Sequence, residues 1–140
     1  MPDRDAALET IQRELTAFAR RARQKASQLH PDLSLVTYSM LDLVKERGAC
    51  RAADLAAHFM LDKSTVSRQV GGLEKLGLLG READPEDQRG QLLRLTAAGE
   101  QLLADANEQR RRSFTERFEG WADPDVAAFA AYLVRYGSAD

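Results

Sequence analysis

From Asp62 to Gln69 the chain reads Asp-Lys-Ser-Thr-Val-Ser-Arg-Gln, and these side chains are suited to reading nucleic acid. Arg68 can bond guanine O6 and N7 together, and Gln69 can pair with the N6/N7 edge of adenine. The hydroxyls of Ser64, Thr65 and Ser67 are short enough to meet base edges or phosphates, and Lys63 adds a phosphate-neutralising charge. Asp62 is a strong helix N-cap, and the amide end of the helix that it starts favours a nearby phosphate. Farther on, Asp84-Pro85-Glu86-Asp87-Gln88-Arg89-Gly90 is a polar turn. An arginine near its tip, Arg89, can enter a narrow minor groove, where negative potential is focused. Asp87, two residues earlier, is expected to hold Arg89 through a salt bridge. Taken separately, each segment also has a plain structural explanation: first-turn hydroxyls, a solvated arginine, a charged hairpin.

The surrounding pattern supplies elements to position these groups. Val66, Val70, Leu73 and Leu76 form one stripe on a helix that starts at Asp62 and closes at Gly77. Ala52 to Phe59 predicts a short helix before it, with Met60 in the connecting turn, where a small residue is common. Ser34 begins another helix carrying Leu35, Tyr38, Leu41, Leu43 and Val44, stopped by Gly48. Residues 78–83 and 91–95 read as strands joined by the polar turn 84–90, with Leu93 and Leu95 on one face and Arg94 on the other. Residues 5–29 carry Leu8, Ile11, Leu15, Phe18 and Ala22 at helical spacing, ended by His30-Pro31. Thr96 caps a helix with Leu102, Leu103, Ala106, Phe114 and Phe118 inside. Asp123 is expected to cap a last helix, with Pro124 at its first position and Val126, Phe129, Leu133 and Tyr136 along it.

Composition narrows the classes. The 140 residues are 44% hydrophobic and 30% charged, which fits one globular domain or one two-lobed unit. No apolar run is long enough to span a membrane, and Met1-Pro2-Asp3-Arg4-Asp5 is not a secretory leader. With a single cysteine, a cytoplasmic setting is expected. The net charge is −2, and residues 34–95 hold nine bases against nine acids. A nucleic-acid partner therefore requires those bases to be sorted onto one face.

Four linked motifs carry a family resemblance: Asp62-Lys63-Ser64-Thr65-Val66-Ser67-Arg68, Leu73-Glu74-Lys75-Leu76-Gly77-Leu78, the Asp87-x-Arg89 of the turn, and Leu95-Thr96-Ala97-Ala98-Gly99. Together they resemble the MarR family of winged helix-turn-helix regulators, closely over residues 34–99 and in layout beyond. The resemblance implies a mainly α fold with a small β-hairpin wing. Residues 34–95 would be the winged helix-turn-helix domain, flanked by dimerisation regions at 1–33 and 96–140. It implies a homodimer on a pseudo-palindromic double-stranded DNA operator, with half-sites about 10 base pairs apart. Lys63, Ser64, Thr65, Ser67, Arg68 and Gln69 would contact DNA in the major groove and Arg89 in the minor groove. A repressor released by a small-molecule effector is the expectation, with His30 and Tyr38 as pocket residues. Gly71-Gly72 departs from the family pattern, which has larger residues there. Either the backbone approaches something closely at this point, or the helix is simply weaker.

Other features carry less. Cys50 raises a redox-responsive regulator as an alternative, with Arg51 adjacent to lower its pKa, but an inert thiol is expected. His30, His58 and Cys50 lack the close ligand pairs of a metal site, so no metal or cofactor is expected. Arg110-Arg111-Arg112 cannot lie on one helix face, which predicts a solvated run salt-bridged to Glu108 or Glu116. Trp121 is expected to plug a core or interface. No catalytic motif is present, and no enzyme is expected. A winged-helix module that binds protein remains a second alternative, favoured by the balanced charge of residues 34–95.

Overall fold

The computed structural model describes residues 3–139; Met1 and Pro2 of the opening segment, with Asp140, lie outside them. In order the elements are α1 (Arg4–Leu29), α2 (Leu35–Arg47), α3 (Ala52–Phe59), α4 (Lys63–Lys75), β1 (Leu79–Asp84), β2 (Asp87–Leu95), α5 (Ala97–Arg117) and α6 (Asp123–Gly137). The chain divides into two compact units, one up to Ala104 and one from Asp105, with α5 running through the division.

The core of the first unit joins the helix-turn-helix to the hairpin. Leu41, Val44, Leu55, Val66, Val70, Leu73, Leu79, Leu93 and Leu103 are all buried. Local caps set the helix ends. Ser34 Oγ accepts the Thr37 amide and Thr37 Oγ1 accepts the Ser34 amide, a reciprocal box at the start of α2. Gly48 and Gly77 end α2 and α4 at φ of +79° and +77°, a region that side-chain-bearing residues avoid. Met60 ends α3 in the left-handed region at φ 53° and ψ 48°, and its side chain is exposed. That conformation turns the chain from α3 into α4, and the Leu61 amide then bonds Ala56 O at 3.0 Å.

The hairpin is tighter than its sequence suggests. β1 and β2 pair antiparallel from Leu79↔Leu95 to Asp84↔Asp87, which leaves Pro85-Glu86 as the turn. The two aspartates account for the difference. Asp84 Oδ1 accepts the Glu86 amide at 2.9 Å and Asp87 Oδ1 accepts the Arg89 amide at 3.0 Å, so side chains close the reversal.

Several apolar positions depart from the expected stripes. Leu76, expected inside, is partly exposed, because the reversal at Gly77 swings it out and brings Leu78 into the core. Phe114, expected inside α5, is 43% exposed. Asp123 is the first residue of α6, with Ala122 as the cap, and no residue of α6 is buried. On α1 the expected stripe is likewise open: Leu8 and Ile11 are each 50% exposed. In the second unit Trp121 packs edge-on against Phe118 and Phe129, with ring centroids 5.0 and 5.9 Å away, while remaining partly exposed.

Candidate nucleic-acid interface

Helix α4 has two distinct faces. Val66, Val70 and Leu73 are buried against the core. Opposite them, Ser64, Arg68, Gly71 and Lys75 recur at spacings of four, three and four, and all are exposed. Lys63 and Ser67 are also exposed, whereas Thr65 and Gln69 are half-buried on the flanks. An added Cβ at Gly71 or Gly72 meets nothing within 4 Å, so packing within the chain does not require either glycine.

The start of α4 is organised by Asp62. Its Oδ1 accepts the Thr65 amide at 2.7 Å and the Ser64 hydroxyl at 2.8 Å. The Thr65 amide bond, then bonds from the Ser64 and Thr65 hydroxyls, lower its pKa from 3.8 to about 2, so it is a carboxylate throughout the physiological range. Arg68 Nη2 reaches Thr65 Oγ1 at 3.5 Å, which holds the guanidinium along the outer face of the helix.

The balanced charge of residues 34–95 is sorted by ion pairing. Arg51 pairs with Asp84, Arg81 with Glu74, and Arg94 with Glu82. Among the described residues, Lys63, Arg68, Lys75 and Arg89 make no ion pair within 4.0 Å. Three acids are thus matched with three bases on the sides of the hairpin and its neighbours. Unmatched cations remain on the outer face of α4 and at the wing, with Lys45 and Arg47 at the end of α2. That sorting lets a nearly neutral domain present a positive surface.

Arg89 is exposed, in the part of β2 that has no partner on β1. The expected Asp87–Arg89 salt bridge is absent among the described residues, and Asp87 instead bonds the Arg89 backbone amide. The carboxylate therefore shapes the loop and leaves the guanidinium free. Between the N-terminus of α3 and the wing lies an open cleft of about 590 Å³, whose lining includes Arg51, Arg81, Arg89 and Gln91. His30 and Tyr38 lie elsewhere. His30 is half-buried, its Nδ1 accepting the Asp32 amide at 3.1 Å, and Tyr38 is buried in α2.

Cys50 is buried and paired through its backbone with Leu93. Burial, then the nearby Asp54 carboxylate, pushes its thiol pKa up against a smaller lowering by Arg47. Arg51, expected to activate it, instead directs its guanidinium to Asp84. On α5, Arg111 and Arg112 both pair with Glu108. The Arg51–Asp84 pair was not foreseen from sequence. Asp84 before Pro85 signals a turn, but nothing local points to a partner 33 positions away.

The MarR family profile matches residues 33–90. An HTH-type transcriptional regulator from Bacillus subtilis, YxaD, is 34% identical over 134 residues, covering 94% of each chain. The transcriptional regulator HosA of Escherichia coli O111:H- is 32% identical over 76 residues, 54% of this chain and 56% of its own. Among solved structures, a MarR family protein from Bacillus stearothermophilus superposes with a TM-score of 0.81 at 23% identity, covering 98% of this chain and 96% of that one. A cysteine-to-serine mutant of E. coli MarR complexed with operator DNA gives 0.72 at 17% identity, covering 98% and 99%. The motif-bearing helix, the hairpin and this full-length likeness agree, and the chain belongs to the MarR family of transcriptional regulators, with the family's DNA-binding winged helix-turn-helix fold.

Proposed function

We propose that the protein is a ligand-responsive repressor, acting in the cytoplasm, that binds a pseudo-palindromic operator as a homodimer. The observation that carries this reading is the charge sorting: Arg68 on the outer face of α4 and Arg89 on the wing stay unpaired, while neighbouring arginines are neutralised. Residues 34–95 form the reading domain. Lys63, Ser64, Thr65, Ser67, Arg68 and Gln69 face the major groove, with Thr65 and Gln69 reaching it from the flanks. Arg89 enters the minor groove, and Asp87 supports it through the loop backbone.

The flanks 1–33 and 96–140 join two protomers. The half-exposed Leu8 and Ile11 of α1, and the largely exposed apolar residues of α6, such as Val134 and Tyr136, favour this role. Such stripes are costly in water and are characteristic of subunit contacts. The effector binds near the α1–α2 junction, at His30 and Tyr38. By preferring one spacing of the two reading heads, it shifts the population away from the DNA-competent form.

The test is selection of bound DNA from a random pool, followed by titration of the selected duplex. Two protomers should bind each operator. Arg68→Ala should weaken binding about 10- to 100-fold and relax preference at one base position per half-site. Arg89→Ala should weaken binding, and the salt slope should flatten by about 0.9 for each phosphate neutralised. Wild-type affinity in both variants would overturn the assignment.

A further inference from the structure

The wing is fastened to the helix-turn-helix at two points. At its base, Cys50 and Leu93 exchange both backbone hydrogen bonds, at 3.1 and 2.7 Å. The next residue, Arg51, makes the second link. Its Nε and Nη2 both donate to Asp84 Oδ2, at 2.6 and 2.5 Å. Arg51 is itself held in place, because its amide donates to Asp54 Oδ2 at 2.9 Å where α3 begins.

Asp84 stands where the hairpin ladder stops giving support. Ala83 pairs with Gln91, and the next pairing is Asp84 with Asp87, so Gln88, Arg89 and Gly90 have no partner on β1. Ladder hydrogen bonds therefore do not fix the segment that carries Arg89. Asp84 supplies the missing anchor. Its side chain is only 3% exposed; one oxygen takes the Glu86 amide of the turn and the other takes Arg51. A continuous path of contacts runs from α4 through the packed α3 to Arg51, Asp84 and the wing tip. The guanidinium directs Nε and Nη2 to Asp84, with Glu86 Oε2 at 3.8 Å, so its charge is already matched within the chain.

We propose that Arg51 is a positioning residue for DNA recognition: by gripping Asp84 it sets the direction in which the wing carries Arg89 relative to α4. This rests on the reading of Arg89 as a DNA contact.

The experiment titrates the full-length chain against its selected operator over a range of salt concentrations, with Arg51→Gln, Asp84→Asn, the double variant, and Arg51→Gln in an Arg89→Ala background. Each single variant should weaken binding about tenfold, the scale of one charge-assisted hydrogen bond. The double variant should be no weaker than the poorer single one, because both break one link. Salt slopes should flatten no further than in Arg89→Ala, and Arg51→Gln should change neither affinity nor slope once Arg89 is alanine.

A direct phosphate contact by Arg51 gives the opposite pattern. Arg51→Gln would then flatten the slope by about 0.9 per phosphate even in the Arg89→Ala background, and Asp84→Asn, by freeing the guanidinium, would tighten binding. Either result overturns the proposal. Should Asp84→Asn fail to melt cooperatively, Arg51→Gln with and without Arg89 decides alone, since Arg51 is exposed and its loss leaves the core intact. Arg89→Ala at wild-type affinity would refute the wing reading itself. Arg89→Ala weakened, with Arg51→Gln unchanged, would refute only the positioning role.

Discussion

Gly99 and Gly71 should respond in opposite directions to the same added methyl group. Gly99 sits in the first turn of α5, where a Cβ would stand 2.2 Å from the Leu78 carbonyl oxygen and 3.1 Å from its carbon. A carbon–oxygen contact normally closes at about 3.3 Å, so the shortfall is roughly 1 Å, against main chain that cannot rotate away. Relief requires α5 to move off the start of β1. That motion pulls on the Thr96 amide's bond to Leu78 O at 3.1 Å, and on the Thr96 hydroxyl, which donates to Gly77 O at 2.5 Å and accepts from the Gly99 amide at 3.0 Å. Overpacking costs about 1–3 kcal/mol, and two weakened hydrogen bonds about 1 kcal/mol each. Alanine's helix preference returns about 1 kcal/mol, which leaves a net loss of about 2–4 kcal/mol. In a chain of this size that lowers the melting temperature by about 10 °C. At Gly71 no atom lies within 4 Å of the new methyl group and φ is helical, so alanine should raise the melting temperature by about 2–4 °C. Calorimetry at one fixed protein concentration measures both. A Gly99→Ala protein melting within 2 °C of wild type would show that α5 does not depend on this close approach.

The Asp62 cap gives a pH signature. Its pKa is depressed to about 2 in the folded chain, so its stabilising charge is fully present above the unfolded value near 4 and lost as pH falls toward 2. Asp62→Asn should therefore melt below wild type at pH 7 and converge with it near pH 2; a constant gap across that range would exclude the charge as the cause. The Cys50 thiol is buried and its pKa is raised, so a thiol reagent should label the native chain far more slowly than the denatured one. Peroxide should leave operator binding intact in wild type as in Cys50→Ser. Loss of binding that Cys50→Ser prevents would instead identify a sensor.

At several helix ends, where a residue's fate depends on its immediate neighbours, the sequence was sufficient, although Asp123, expected as a cap, became the first residue of α6. Ser34 and Asp62 cap helices because their side chains reach amides three residues on, and α3 spans the expected Ala52–Phe59. Leu76 broke its stripe because the helix ended one residue too soon for it to turn inward. Helical spacing on α1 and α6 identifies an apolar face but not what covers it, and no partner for either face is encoded in that spacing. Asp87 was paired with the wrong group of the right residue. A carboxylate two positions before an amide is geometrically ready to accept from it, whereas the Arg89 guanidinium lies beyond a long flexible stem. The Arg51–Asp84 link has no local signature, because it exists only once α3 and the hairpin have packed.

Helix α4 and the wing, the two elements proposed to read DNA, are held by different physics. Helix α4 is seated by Val66, Val70 and Leu73 in a continuous apolar core, so moving it alone would open a cavity. The wing tip is held by polar links: Asp84 to Arg51, Asp84 to the Glu86 amide, and Asp87 to the Arg89 amide. Breaking such a link costs about 1–3 kcal/mol and leaves the apolar core closed. The inexpensive change within one reading head is therefore a reorientation of the wing, while α4 moves only with its whole domain. If the proposed roles hold, salt and charge substitutions near Arg51 should act on the minor-groove contact of Arg89 and leave base preference along α4 unchanged, whereas core substitutions beneath α4 should degrade both together.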